Sequence, residues 1–539
     1  MNCAFSLCLA VIALVSWVAE RPQAVNGKEA YTRGSEAAKA GNFREALEEL
    51  EKAAALAPDD PRVHNLTGLV LTQLRKYDEA DSAYNRALKL APNFLPARKN
   101  RAVNYFSRRD FATASSEFEA LRRLIPNDFV PPLFLGLLAL EGADTETALP
   151  RLQEAEKLAP RSSQVLIPLT RAYFLVGQRE AALATSRKLD PDPTERKDAK
   201  RFELGVILAE FGENAEAERI FADLWKRNFL PYDSGFNVAL LRYRAQSNEE
   251  ALRAVEEMLA RGLQTGELLS LQAWIYNGMA RLELARQSLE QAIAIDPDAV
   301  EHYLDLSMVH VMRGDPQAAL GVLSRALDRL ITGDQLPVQI GLVHQATGRT
   351  AEAEGQYRRT VEDYPESGPA YLALANLFLT TGREDEGVQL LARAVEALPQ
   401  DALVHHAYGA ILLARAQSSQ PEVMEKAGQA LRRALQLNPR YADTAYLLGK
   451  YYVLKKEDPK AEAYFKKACY LDPRHVEAHY RLSRFARQRG ELRRAEELAR
   501  IVERLRMEQR TQDEARFEKL VNESLRGSRG RAFKGLGGE

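Results

Sequence analysis

The sequence predicts an all-α chain, a solenoid of about fourteen helix-turn-helix repeats of 34 residues each. Three observations predict it. Pro58, Pro92, Pro126 and Pro160 stand 34 residues apart. Before them a small, a large and a generally small residue recur at i, i+4 and i+7: Ala46, Leu50 and Ala53, then Ala80, Tyr84 and Ala87, then Ala114, Phe118 and Leu121, then Ala148, Leu152 and Ala155. That spacing is one stripe of a helix. Glycine also recurs at a fixed place between the two stripes of a repeat, as Gly41, Gly177, Gly212, Gly314, Gly348, Gly382 and Gly490, where it supplies the left-handed residue that ends a first helix.

Counted from Gly27, the repeats run to Gln509 with two irregularities. One extra residue falls in the fifth repeat, around Asp190 to Thr194. Six fall in the twelfth, around Ser418 to Val423, because Pro399 and Pro439 are 40 residues apart. Position 8 is small in most repeats (Gly34, Gly68, Ala102, Gly136, Gly205, Ala239, Ala273, Gly341, Ala375, Gly409, Gly449), which lets the two helices of a repeat cross closely. Proline at position 32 closes the second helix, since the residue before proline resists the α conformation. The fifth, sixth, seventh and ninth repeats lack that proline, and Met258 stands where the seventh should carry Ala. Looser packing or altered curvature is expected there. A lone helical hairpin cannot cover its own apolar face, so stacking is obligatory.

Ala, an aromatic or Leu, and Ala before Pro at position 32 resemble the tetratricopeptide repeat, and the resemblance covers nearly the whole chain. It implies a right-handed superhelix whose concave groove is lined by first helices through positions 2, 5, 9 and 12. At those positions stand Phe106, Leu137, Phe174, Phe202, Phe236, Leu240, Tyr243, Trp274 and Met308, with Leu342 and Leu379 beyond them. Such a groove suits an amphipathic helix or an extended apolar peptide. The other reading is that these side chains pack within the solenoid, and Trp274 separates the two.

Arg481, Arg484 and Arg487 recur every third residue on the last first helix, with Lys450 one repeat earlier. They form either a site for an acidic peptide, phosphate or anionic lipid or a solvated end neutralised by Glu491, Glu496 and Glu497. The carboxylate clamp of some family members is not expected: Lys99 and Asn100 come nearest, but Val103 and Leu133 occupy places that need polar donors. His475 and His479 are four apart, yet the string His-Val-Glu-Ala-His misplaces the carboxylate of a zinc peptidase. With no phosphate loop, nucleophile elbow or cysteine cluster in the sequence, no catalytic, cofactor or metal residue is assigned.

The remaining features concern the ends and the company the chain keeps. A net charge of −1, from 74 Lys plus Arg against 75 Asp plus Glu, argues against a nucleic-acid binder. The apolar run Ala4 to Ala19 makes 1–24 a signal peptide, since sixteen helical residues span only about 24 Å of a ~30 Å hydrocarbon core. Repeats then fill 27–509, a helical extension 510–525, and a disordered basic tail 526–539. About 30 residues outside the repeats are too few for a catalytic domain. The expectation is a non-enzymatic scaffold, secreted or periplasmic, that binds a protein or peptide in its groove, with peripheral association with the envelope. Two alternatives stand beside it: an accessory module of a separate glycosyltransferase or peptidase, and a cytoplasmic peptide-binding regulator. A membrane anchor is the alternative role of the first segment.

Overall fold

The computed structural model describes residues 27–507 apart from 143, 177, 190–194, 330, 417–420 and 473. The expected signal segment, helical extension and basic tail lie outside the described residues, as do Gly177, the irregular stretch 190–194 and the first half of the other, 418–420. Two compact units are present, Met1–Ile207 and Leu208–Glu539. The described residues form helices joined by short turns, with no strand among them. They pair as helical hairpins, from Gly27–Ala40 with Phe43–Leu56 to Val476–Gln488 with a helix over 492–507.

The turn inside each hairpin follows from position 15. Gly41, Gly212, Gly314, Gly348, Gly382 and Gly490 have φ between 73° and 83°. Where glycine is missing the turn keeps its shape: Arg75, Arg109, Gln246, Ala280 and Lys456 take φ of 57° to 65° at the same position. Each bears the left-handed strain of an L side chain, about 1–2 kcal/mol, which the packing of the flanking helices offsets. The twelfth repeat, lengthened by its insertion, departs from this rule, and Ala416 there has φ −64°.

Proline closes the second helices as the sequence predicts. Ala57, Ala91, Ile125, Ala159, Asp296, Tyr364 and Leu398, each preceding proline, have φ between −124° and −141°, outside the α region. The sixth and seventh repeats, which lack proline, close on left-handed Asn228 (φ 58°) and Gly262 (φ 77°) instead. Their interiors are not loosened. Phe221, Leu224, Val255 and Met258 are all 0% exposed, so Met258 fills the space where a smaller residue was expected. The fifth repeat is the one that shortens, its second helix being Arg179–Ser186.

The two helices of a hairpin cross at position 8. A Cβ on Gly68 would lie 2.6 Å from Tyr84, one on Gly136 2.6 Å from Leu152, and one on Gly449 2.5 Å from Phe465. Glycine there is therefore a packing requirement, and it allows a fully buried large side chain at position 24. Each such burial contributes about 1.5–3 kcal/mol. Polar side chains tie one repeat to the next. The Thr72 hydroxyl donates to Asn104 Oδ1 at 3.0 Å, and Asn104 donates through Nδ2 to the Tyr77 carbonyl at 2.9 Å.

Successive first helices touch one another, as Gly266–Gly278 touches Val300–Met312 and Val300–Met312 touches Gln335–Ala346, while successive second helices make no comparable contact. Within each unit the first-helix side is thus the tighter, inner side. In the second unit non-adjacent repeats also meet: the Arg440 guanidinium lies 4.1 Å from the centre of the Phe211 ring and donates to the Glu210 carbonyl, 230 residues away in sequence.

Candidate protein-binding groove

In the first unit the inner side forms a groove of about 640 Å³ lined by side chains of the third to sixth repeats, among them Phe106, Leu137, Leu140, Arg171, Leu175 and Lys200. Phe106 is half-buried, its ring centre 5.9 Å from Phe111 and 5.2 Å from Phe134. Leu137 is half-buried at the groove wall. Phe174 is not a groove residue. It is 2% exposed, because its helix Ser163–Leu175 is apolar nearly all round and is packed on more than one side, so Arg171 and Leu175 reach the groove in its place. Phe202 is half-buried and outside that lining.

In the second unit Phe236 and Leu240 are half-buried on Pro231–Arg244, and Phe236 stacks on Tyr232 with ring centres 5.8 Å apart. Next comes a stripe of exposed apolar side chains. Trp274 (39% exposed), Met308 (43%) and Leu342 (39%) occupy position 9 of three successive first helices. Exposed Asn376 holds position 9 in the following repeat and ends the stripe. The Trp274 indole N–H donates to Asp305 Oδ2 at 2.7 Å across the repeat boundary. Burial holds the Asp305 carboxyl above the usual carboxylate range, and burial together with the Asp305 charge pushes the Tyr243 phenol up.

Around the stripe neighbouring helices are pinned by buried polar pairs, two between successive first helices and one within a repeat. Ser270 Oγ lies 2.8 Å from His302 Nδ1, Gln339 donates to Ser307 Oγ at 2.9 Å, and Ser288 donates to Gln272 at 2.9 Å. Sequence reasoning missed these residues, since Ser and Gln read as surface positions. The signal for the first two pairs was the separation of 32 residues at which polar side chains recur on helix faces otherwise apolar. Paired polar groups of this kind fix the register of neighbouring helices, so the exposed side chains project from a rigid support.

At the end of the described chain, Arg484 and Arg487 are exposed and line a second groove of about 960 Å³ with Tyr480 and Arg506, while Arg481 is half-buried. Two of the three expected neutralising carboxylates are engaged elsewhere. Glu491 pairs with Arg489 (3.0 Å) and Arg494 (3.4 Å), and Glu496 with Arg500 (3.9 Å), because partners near in sequence on the same hairpin are reached first. Lys450 is half-buried with its amine 6.0 Å from the Tyr446 ring. Lys99 pairs with Asp128 at 2.8 Å, and Asn100 donates to Asn65 Oδ1 at 3.0 Å. His475, 7% exposed, caps Val476–Gln488 by accepting from the Ala478 N–H at 3.3 Å. Among the described residues no group of three His, Cys, Asp or Glu is placed to hold a metal ion.

With the helix pairs and their turns established, the sequence itself matches a profile of the tetratricopeptide repeat over residues 31–93, 271–334, 338–402 and 425–473. The chain is a tetratricopeptide repeat protein. The stretch between 93 and 271 escapes the profile although hairpins continue through it, and it holds three of the repeats that lack proline. This tetratricopeptide repeat protein is 22% identical over 480 residues to a TPR repeat-containing protein of Treponema pallidum (strain Nichols), covering 81% of this chain and 57% of the relative. It is 23% identical over 348 residues to the BBSome complex member BBS4 homolog of Drosophila melanogaster, covering 59% and 69%. The matches span from 13% to 69% of the lengths of the curated relatives. Among solved structures, the APC/C hetero-tetramer Cut9-Hcn1 aligns with a TM-score of 0.32 and 12% identity over 85% of this chain and 96% of that one.

Proposed function

We propose that this tetratricopeptide repeat protein is a non-catalytic scaffold that holds a partner protein or peptide against the inner, first-helix side of its stack. The observation that carries the reading is the stripe Trp274, Met308 and Leu342, each more than a third exposed at the same position of consecutive helices. Large apolar side chains left in water in a row are costly unless a partner covers them. Neighbouring helices pack about 8–10 Å apart. A polyproline II segment, with three residues per turn and a rise of about 3.1 Å per residue, brings every third side chain to that spacing on one face. The name of the Drosophila relative, a member of a protein complex, supports a role in assembly.

An exported location, secreted or periplasmic, belongs to the same proposal and rests on the apolar run Ala4 to Ala19. No helix among the described residues is long and apolar enough to cross a membrane. Pull-down from the envelope fraction of the native host, comparing the unaltered chain with Met308→Arg, tests the binding reading: partners should be recovered with the first and lost with the second. N-terminal sequencing tests export, and a start between Glu20 and Lys28 is expected. An intact Met1 on a cytosolic protein would contradict it.

A further inference from the structure

We infer that the groove over the seventh to ninth repeats selects a partner segment bearing a lysine or arginine beside an apolar residue, the cation meeting Asp305 next to Tyr243 and Trp274. The inference rests on the groove reading above and narrows its partner.

Asp305 lies on Val300–Met312 and accepts the indole N–H of Trp274, at 2.7 Å, from the preceding repeat. Among the described residues no lysine or arginine pairs with it. The contrast with other inter-helix carboxylates is plain. Glu117 meets Arg98 and Arg101, Glu119 meets Arg122 and Arg151, and Glu354 meets Arg358 and Arg383. Since the chain carries 74 cationic side chains against 75 carboxylates, a missing counter-ion here reflects local placement rather than overall shortage.

Asp305 is half-buried, and a carboxylate partly withdrawn from water without a lysine or arginine partner carries a cost that a cation brought by a partner relieves. Burial holds the Asp305 proton more tightly than usual; the Trp274 hydrogen bond and then His302 oppose that effect, and Glu301 adds to it. Trp274 bonds to Asp305 through its indole N–H and the Tyr243 phenol feels the Asp305 charge, and aromatic ring faces attract ammonium and guanidinium groups. Three residues along the same helix, and so on the same face, Met308 is 43% exposed and offers the ledge for the neighbouring apolar side chain. A positive head with an apolar residue alongside is the chemistry this pair of features complements.

The test is selection from a displayed library of random peptides on the full chain, followed by re-measurement of the selected peptides on Asp305→Asn, Asp305→Lys, Trp274→Ala and Met308→Arg. Asp305→Asn keeps an acceptor for the Trp274 indole, so it should fold, and thermal unfolding checks each variant. The selected peptides should carry Lys or Arg beside an apolar residue, bind Asp305→Asn about tenfold more weakly or worse, and fail on Asp305→Lys. Peptides without a cation, or with equal affinity for Asp305→Asn, would overturn the inference. If those peptides still lose binding to Met308→Arg, the groove reading stands and the cation site alone falls. Peptides indifferent to every variant, or a selection that yields none, count against both.

Discussion

A Cβ on Gly68 would fall 2.6 Å from Cε1 of Tyr84, sixteen residues later, and Tyr84 is fully buried with its hydroxyl 3.1 Å from Thr72 Oγ1. The ring has no free space to move into. Gly68→Ala should therefore destabilise the chain, the overpacking of about 1–3 kcal/mol exceeding the ~1 kcal/mol that Ala gains over Gly in a helix. Gly321, on the helix Pro316–Asp328, has nothing within 4 Å of the same atom. Gly321→Ala should stabilise by about 0.5–1 kcal/mol. Denaturant unfolding of the two variants side by side measures the difference, and equal shifts would mean that the crossing is not tight.

The left-handed turn makes a second pair of opposite changes. Ala280 has φ 57° and Gly382 φ 75° at equivalent positions, and nothing lies near the added atom at Gly382. Ala280→Gly should stabilise by up to about 1 kcal/mol as strain is relieved, and Gly382→Ala should destabilise by about 1–2 kcal/mol through the backbone alone. Thermal midpoints moving in opposite directions are the expected result.

Glu462 is 6% exposed and accepts from both Arg489 Nη1, across the repeat boundary, and Nη2 at 2.9 Å, with Lys466 Nζ 2.9 Å away. The Arg489 hydrogen bonds foremost, with Lys466, hold its carboxyl at about 2 against an ordinary 4.5. A depressed folded-state value contributes stability that is complete above about 4.5 and is lost as the pH falls toward 2. Glu462→Gln should cost about 1–3 kcal/mol near neutral pH, with the gap to the unaltered chain closing between pH 4.5 and 2. A gap that is constant with pH would place the loss in packing rather than charge.

Cys469 sits half-buried, and burial foremost pushes its thiol up to about 12. With so little thiolate near neutral pH, alkylation of the folded protein at pH 8 should leave Cys469 unmodified while denatured protein reacts. Peptide mapping reads this residue separately from Cys3 and Cys8.

The sequence made the fold legible because proline and glycine act locally: Pro58 acts on Ala57, and Gly41 turns its own backbone. It did not reveal that Arg75 or Ala280 adopts the same turn, since nothing in those side chains records a strain that neighbouring helices impose. Phe174 was placed in the groove by a position rule that treats every first helix alike, whereas Ser163–Leu175 is apolar around most of its circumference and precedes a shortened partner. Nothing in the sequence sets Asp305 apart from the other acidic residues of the repeat helices. Its significance depends on Trp274, 31 residues earlier, and on the absence of a cation nearby, and both are matters of tertiary placement.

The central claim, that the inner face binds a partner through the Trp274 stripe, is tested most directly by Trp274→Ala measured in two ways. Quantitative pull-down from the native host should show binding weakened by about 2 kcal/mol or more, as for an aromatic anchor. Denaturant unfolding of the same variant should show a loss of about 2 kcal/mol, from the covered part of a side chain that is 39% exposed and its one hydrogen bond. Arg253→Ala, on the second helix Asn248–Ala260 with a side chain 69% exposed, is the outer-face control and should leave both unchanged. A loss of about 3–5 kcal/mol in stability with binding unchanged would make Trp274 a core residue and contradict the account.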